Sequence, residues 1–262
     1  VNASPNLQHL ISFTASLEGF VIPSKFSMML AHTPHPLCVL AAQQLQTYLQ
    51  NQQHWEHNFG LTPNGKGPVI GKMFGVLVVQ TNIGEIGFFC AFSGKLAGSN
   101  THPYFVPPIF DSLGDDSFLT AGMLQLKQQS EVIRQLETLQ NGSNQPHIRE
   151  LKDQRKQYSA DLQQQLFEHY QCVNAAGESK GLPAIFKQAN YQNPPAGAAE
   201  CATPKLLQYA FLHHLKPLAV AEFWWGQSPK SEYWKHGEFY PCCKEKCEPI
   251  LAHMLTKTSS IM

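Results

Sequence analysis

The chain has no surplus of charge of either sign. Its 19 Lys and Arg residues balance 19 Asp and Glu, so the sequence as a whole sets up no field that would draw in nucleic acid. Any contact with RNA would need a local patch or a partner domain. Long apolar runs are missing too: none approaches the roughly 18 to 20 residues that span a bilayer, so no membrane partner is expected. The start shows no basic stretch followed by a continuous apolar one, so no secretory signal is expected. There is no evenly spread cysteine framework of a small secreted domain. The seven cysteines, odd in number and crowded toward one end, point to a reducing cytoplasm instead. Several catalytic signatures are absent as well. Gly71-Lys72-Met73-Phe74-Gly75 lacks the spacing of a phosphate loop, Ser93 is not in a G-x-S-x-G elbow, and His32, His35, His54 and His57 match no zinc template.

What is there divides into four zones. In the first, Leu37, Leu40, Ala41, Leu45, Tyr48 and Leu49 recur at helical spacing behind Pro36, which suits a first turn. The second holds two β-rich runs, Gly75 to Val79 and Ile86 to Phe92, around an Asn/Gly turn. They read as a hairpin whose near-continuous apolarity requires burial on both faces. The third, dense in Gln, Lys, Arg and Glu, carries leucine stripes on either side of a break at Asn141 to Pro146, and predicts an antiparallel helical hairpin in which Arg155 interrupts the seam. The fourth resumes α/β alternation: a helix with Thr203 as N-cap and Pro204 at its first position, a strand from Ala219 to Trp225 ended by Gly226, and a helix beginning at Glu248. The expected fold class is α/β, a three-layered or nearly three-layered central sheet with flanking helices. The expected division is 1–114, an inserted arm at 115–170, and 171–262 with the cysteine cluster.

Cys201 and the group Cys242, Cys243 and Cys247 each lie at the mouth of a predicted helix, where unpaired N–H groups favour a thiolate. They are the candidate ligands of a structural zinc; packed reduced thiols are the alternative. The order of elements resembles the zinc-dependent nucleoside and nucleobase deaminases, whose signature is H-x-E or C-x-E at one helix start and P-C-x-x-C at the next. Two departures bear on activity. Thr203 stands where that signature has glutamate, with Glu200 on the other side of the cysteine, and the second site reads P-C-C-x-x-x-C.

A second resemblance covers nearly the whole chain. His57-Asn58-Phe59-Gly60, the stretch from Gly71 to Val79, Phe92-Ser93-Gly94-Lys95-Leu96-Ala97, Phe105 to Asp111, Cys201 to Ala210 and Ala221 to Gly226 are similar to the amino-terminal region of a long form of RluA-type pseudouridine synthases. That resemblance implies a region preceding a separate catalytic domain, in which the aspartate of a His-Arg-Leu-Asp segment isomerises uridine in tRNA or ribosomal RNA without metal or nucleotide cofactor. This chain contains no such string, and Asp111, Asp115, Asp116, Asp153 and Asp161 fall in turns or on the helical arm. The implied role is therefore a non-catalytic accessory domain for RNA positioning or for docking on the synthase domain.

Within it, Trp224, Trp225, Lys230, Tyr233, Trp234, Lys235 and His236 are candidate RNA-binding residues. Their rings would stack on unpaired bases while the cations meet phosphates, although one of the adjacent tryptophans must face the core. Two other readings remain open: a zinc-dependent enzyme of the deaminase kind, and a module that dimerises through the Gln-rich arm.

Overall fold

The computed structural model describes residues 7–28, 33–114, 118–138 and 145–256. Its centre is a six-stranded mixed sheet in the order β1-β4-β3-β7-β2, with β8 also pairing with β7. The strands are β1 (Ile11–Ser12), β2 (Ser27–Met28), β3 (Lys72–Gln80), β4 (Ile86–Phe92), β7 (Lys216–Trp225) and β8 (Phe239–Tyr240). β3 and β4 form the expected antiparallel hairpin, β7 runs antiparallel to β3 on its other side, and β2 is parallel to β7.

Strand alternation sorts these apolar strands into two cores. Phe74, Val76 and Val78 of β3 and Ala219, Ala221, Phe223 and Trp225 of β7 meet Leu37, Cys38, Ala41 and Leu45 of helix α1 (Pro36–Asn51). Leu77, Val79 and Val220 face the other way, onto Leu206, Leu207 and Ala210 of α5 (Ala202–Leu212) and Ile250 and Met254 of α6 (Lys244–Met254). Helix, sheet and helices make three layers, which is why β3 and β7 need apolar residues on both faces. α1 starts as its sequence predicts: Pro36 is in the first turn and His35 Nδ1 accepts the Leu37 N–H at 3.2 Å.

The arm consists of α2 (Phe118–Thr138) and α3 (Gln145–His169). They run antiparallel, with Gly122 beside Leu162, Ser130 beside Arg155 and Glu137 beside Lys152. Arg155 does not break the seam, because its Nε donates to Ser130 Oγ at 2.6 Å. The expected break at Asn141 to Pro146 lies partly outside the described residues, and Gln145 and Pro146 belong to α3. At the base, His169 stacks between Phe110 and Phe118, at 4.8 and 5.0 Å.

Three local expectations are corrected. α5 begins at Ala202 with Cys201 as its N-cap, so Thr203 is not the cap and Pro204 is not the first residue. α6 begins at Lys244, four residues before Glu248, and carries Pro249 inside it. Pro249 only deletes one backbone bond in an already buried helix, and Cys243 takes the N-cap position. Between arm and α5 lie a short hairpin, β5 (Gln171–Val173) and β6 (Ser179–Gly181), and α4 (Leu182–Gln188). The hairpin turn is built by Asn174, whose Oδ1 accepts the N–H groups of Ala176 and Glu178. Among the described residues, no helix is long and apolar enough to cross a membrane.

Candidate metal centre

The connection from β4 to β7 passes through α5, and β7 leads through β8 to α6, so the mouths of α5 and α6 arrive side by side. Cys201 is the N-cap of α5, Cys243 the N-cap of α6, and Cys247 sits one turn into α6. Their sulfurs lie 3.9 Å (Cys201–Cys243) and 3.4 Å (Cys243–Cys247) apart, and all three within 4.8 Å of one another. Three sulfurs around one tetrahedral zinc, at Zn–S of about 2.3 Å, stand about 3.8 Å apart. The three thiols therefore fit three of the four positions around a borderline-soft ion such as zinc in both chemistry and spacing, and no fourth protein ligand joins them among the described residues.

The three thiols share out their protons unevenly. Cys243 is held far below the ordinary thiol range by the sulfhydryls of Cys201 and Cys247, with the backbone N–H groups of Lys246 and Cys247 adding to the effect. Cys201 is pushed up by its contact with Cys243, against the opposing pull of Cys247, and Cys247 is pushed up by its contacts with Cys201 and Cys243. These contacts favour the thiolate at Cys243, at the mouth of α6, over Cys201 and Cys247.

Cys242 is set apart from this trio. Its Sγ lies 3.2 Å from Thr203 Oγ1, and burial pushes its thiol up. Of the four cysteines expected as ligands, the structure brings three together.

Beside them stands a residue that the sequence reading passed over. Glu222, 5% exposed, projects from β7 into the mouth of α5, where its Oε1 accepts both the Thr203 N–H and the Thr203 hydroxyl at 2.8 Å. It is a helix cap supplied from a strand, satisfying an N–H that Cys201 leaves unpaired. Burial pushes its carboxyl up to about 6, against the opposing pull of Thr203. The signal was present: an acid alternating with Val220 on the α5-facing side of an otherwise apolar run from Leu218 to Trp225 requires a buried partner.

Behind this cap, Lys205 is 2% exposed and donates to the carbonyls of Phe92 (3.1 Å) and Gly94 (3.3 Å), with Glu200 at 3.5 Å. Tyr170 donates to the same Glu200. This network ties α5 to the end of β4 and to the arm's base.

The chain was compared with known protein families, curated proteins and solved structures. It matches none of them.

Of the expected RNA-binding residues, Trp225 lies inside the fold and the others lie toward its surface. Trp225 is 4% exposed and belongs to the α1-side core. Trp224 and Trp234 stack on each other, 5.7 Å apart at 21°, and Tyr233 meets Trp234 edge-on at 4.8 Å while remaining 57% exposed. Lys230 and Lys235 are exposed. His236 accepts the Gly226 N–H at 3.1 Å and packs on Trp225 at 4.3 Å, so it is a brace for the strand end. Of the histidines, His35 caps α1 and His57 bonds the Ile70 carbonyl at 2.8 Å, while His32 lies outside the described residues.

Proposed function

We propose that this chain is a non-catalytic accessory domain of an RNA pseudouridine synthase, built on a deaminase-like framework and pinned by a zinc ion between α5 and α6. The observation that carries the structural role is that three thiols from two helix mouths converge above buried groups. Cys247 and Thr203 are fully buried and Glu222 nearly so, while Cys201 is half-buried and Cys243 exposed, and cavities of about 480 to 650 Å³ elsewhere in the fold have none of these residues in their walls. Cys201, Cys243 and Cys247 would hold the ion, which would cross-link the two helix mouths in addition to the packing of α5 on α6. The synthase assignment is supported by the sequence strings given above.

The partners that follow are ribosomal RNA or tRNA and a synthase domain. Incubating the purified chain with ribosomal and transfer RNA transcripts tests the reading. The expectation is binding that weakens as salt rises, with no pseudouridine formed. Pseudouridine made by this chain alone would overturn the non-catalytic role, and absence of binding at low salt would remove the RNA-positioning role.

One observation favours a second reading, a metal-dependent hydrolytic centre. Glu222 brings a carboxylate to Thr203, the position where the deaminase signature carries glutamate. Zinc-dependent release of ammonia from cytidine or adenosine, lost in Glu222→Gln, would establish it.

A further inference from the structure

The loop after α1 builds another site, which the thiol centre does not use. A cavity of about 490 Å³ lies there, within the roughly 300–1,000 Å³ of small-ligand sites. Trp55, His57 and Phe59 are half-buried rings in its wall, and buried Trp225 is a fourth. Phe59 stands 6.2 Å from Trp55, edge-on, and 4.5 Å from His57, tilted. A flat ring entering the cavity can therefore lie on one face while meeting the edges of the others.

Gln52 and Asn58 of this loop are already engaged, while the buried Trp55 Nε1–H has no hydrogen-bond partner among the described residues. Gln52 Oε1 accepts from the N–H groups of His54 and Trp55, and its Nε2 donates to the Trp55 carbonyl. Asn58 donates to the carbonyls of Gly65 and Gly67 and accepts from the Gly60 N–H. The wall is thus preformed and offers ring faces more than hydrogen-bonding edges. Lys66 and Glu56 are its exposed charged members.

The cavity also runs into the aromatic and basic surface. Trp225 touches His236, and the Gln227 N–H donates to the Phe59 carbonyl at 2.7 Å. Beyond them come exposed Tyr233, Lys230 and Lys235.

We propose that this cavity receives an unpaired nucleobase by stacking, without reading which base it is, while Lys66 and Lys235 meet the backbone on either side. Rings with neighbouring cations, where Gln52 and Asn58 are already committed within the loop, are the chemistry of sequence-tolerant single-strand binding. The choice of RNA as the strand rests on the accessory-domain reading.

Labelled octauridine and octaadenosine, followed by fluorescence anisotropy, and uridine 5′-monophosphate, followed by calorimetry, test it with the full chain. The two octamers should bind within a few-fold of each other. Trp55→Leu should weaken both about tenfold, the loss of one stacked base. Lys66→Glu, an exposed change that leaves the core alone, should weaken both and flatten the salt dependence.

Octamer binding that neither variant alters would overturn the cavity assignment and leave the accessory reading standing. Trp55-dependent binding of the mononucleotide without octamer binding would support the cavity and remove RNA positioning. Displacement of the mononucleotide by equal or lower concentrations of N-acetyltryptophanamide would overturn the nucleobase as the occupant.

Discussion

Gly75→Ala tests how the fold sets the thiol geometry. Gly75 lies in β3 on the side facing α5, and a Cβ added there would sit 2.8 Å from Ala202 Cβ and 3.1 Å from Leu206 Cδ1. Carbon atoms in contact prefer about 3.5–4.0 Å, so α5 has to retreat by nearly 1 Å at its first residue. Leu206 can adjust its rotamer, but the Ala202 methyl cannot. Overpacking of this kind costs about 1–3 kcal/mol, which for a chain of this size lowers Tm by about 2–12 °C. Ala202 follows Cys201 directly, so the retreat carries Cys201 Sγ away from Cys243, now 3.9 Å distant. Misplacing a group that orients metal ligands weakens metal affinity about 10- to 100-fold. Thermal denaturation and competitive zinc titration measure the two effects, and Ala202→Gly in the same chain should relieve both by removing the opposing methyl. A Gly75→Ala protein within about 0.5 kcal/mol of the wild type, with unchanged zinc affinity, would refute the link between this packing and the thiol centre.

Other outcomes follow from the same geometry. Cys247→Ala should abolish stoichiometric zinc, and Cys242→Ala should retain it; metal analysis of both variants checks this, and zinc lost equally from both would place Cys242 among the ligands. In the metal-free protein Glu222 has a folded pKa of about 6 against an ordinary 4.5. The folded state therefore holds its proton while the unfolded state has released it, and stability falls as pH rises from about 4.5 to 6, by about 2 kcal/mol. Urea denaturation across that window should show the fall in the wild type and a flatter profile in Glu222→Gln; parallel profiles would contradict the burial argument. Gly122→Ala drives a methyl to 2.6 Å from both Leu162 methyl carbons, so hydrogen exchange should quicken in α2 and α3 while β3 and β7 keep their protection. Equal loss of protection in both regions would mean that the arm and the sheet open as one unit.

The sheet was legible because its strands are apolar on both faces. Phe74 to Val79 and Phe88 to Phe92 cannot be helix surfaces, and the arm was legible from its leucine spacing. What escaped were features whose cause lies elsewhere in the chain. Thr203 has the chemistry of an N-cap, yet its hydroxyl and N–H both go to Glu222, nineteen residues on, and a cap arriving from a strand leaves no local pattern. Pro249 suggested a first turn, but tertiary burial of Cys247, Ile250 and Met254 extends α6 ahead of it. β5 and β6, at three residues each, are too short for a period to register. The thiol trio was half legible: clustering at two helix mouths was visible, but which three of four cysteines converge depends on the turn by which Cys242 swings toward Thr203.

The most direct test of the account is the metal content of the purified chain, measured by elemental mass spectrometry together with its melting temperature before and after chelation. One zinc per chain, removed with a fall in Tm and restored by adding zinc back, is the predicted result. A chain that folds with the same Tm while holding no metal, and that gains none on exposure to zinc, would contradict the claim that Cys201, Cys243 and Cys247 pin the two helix mouths together.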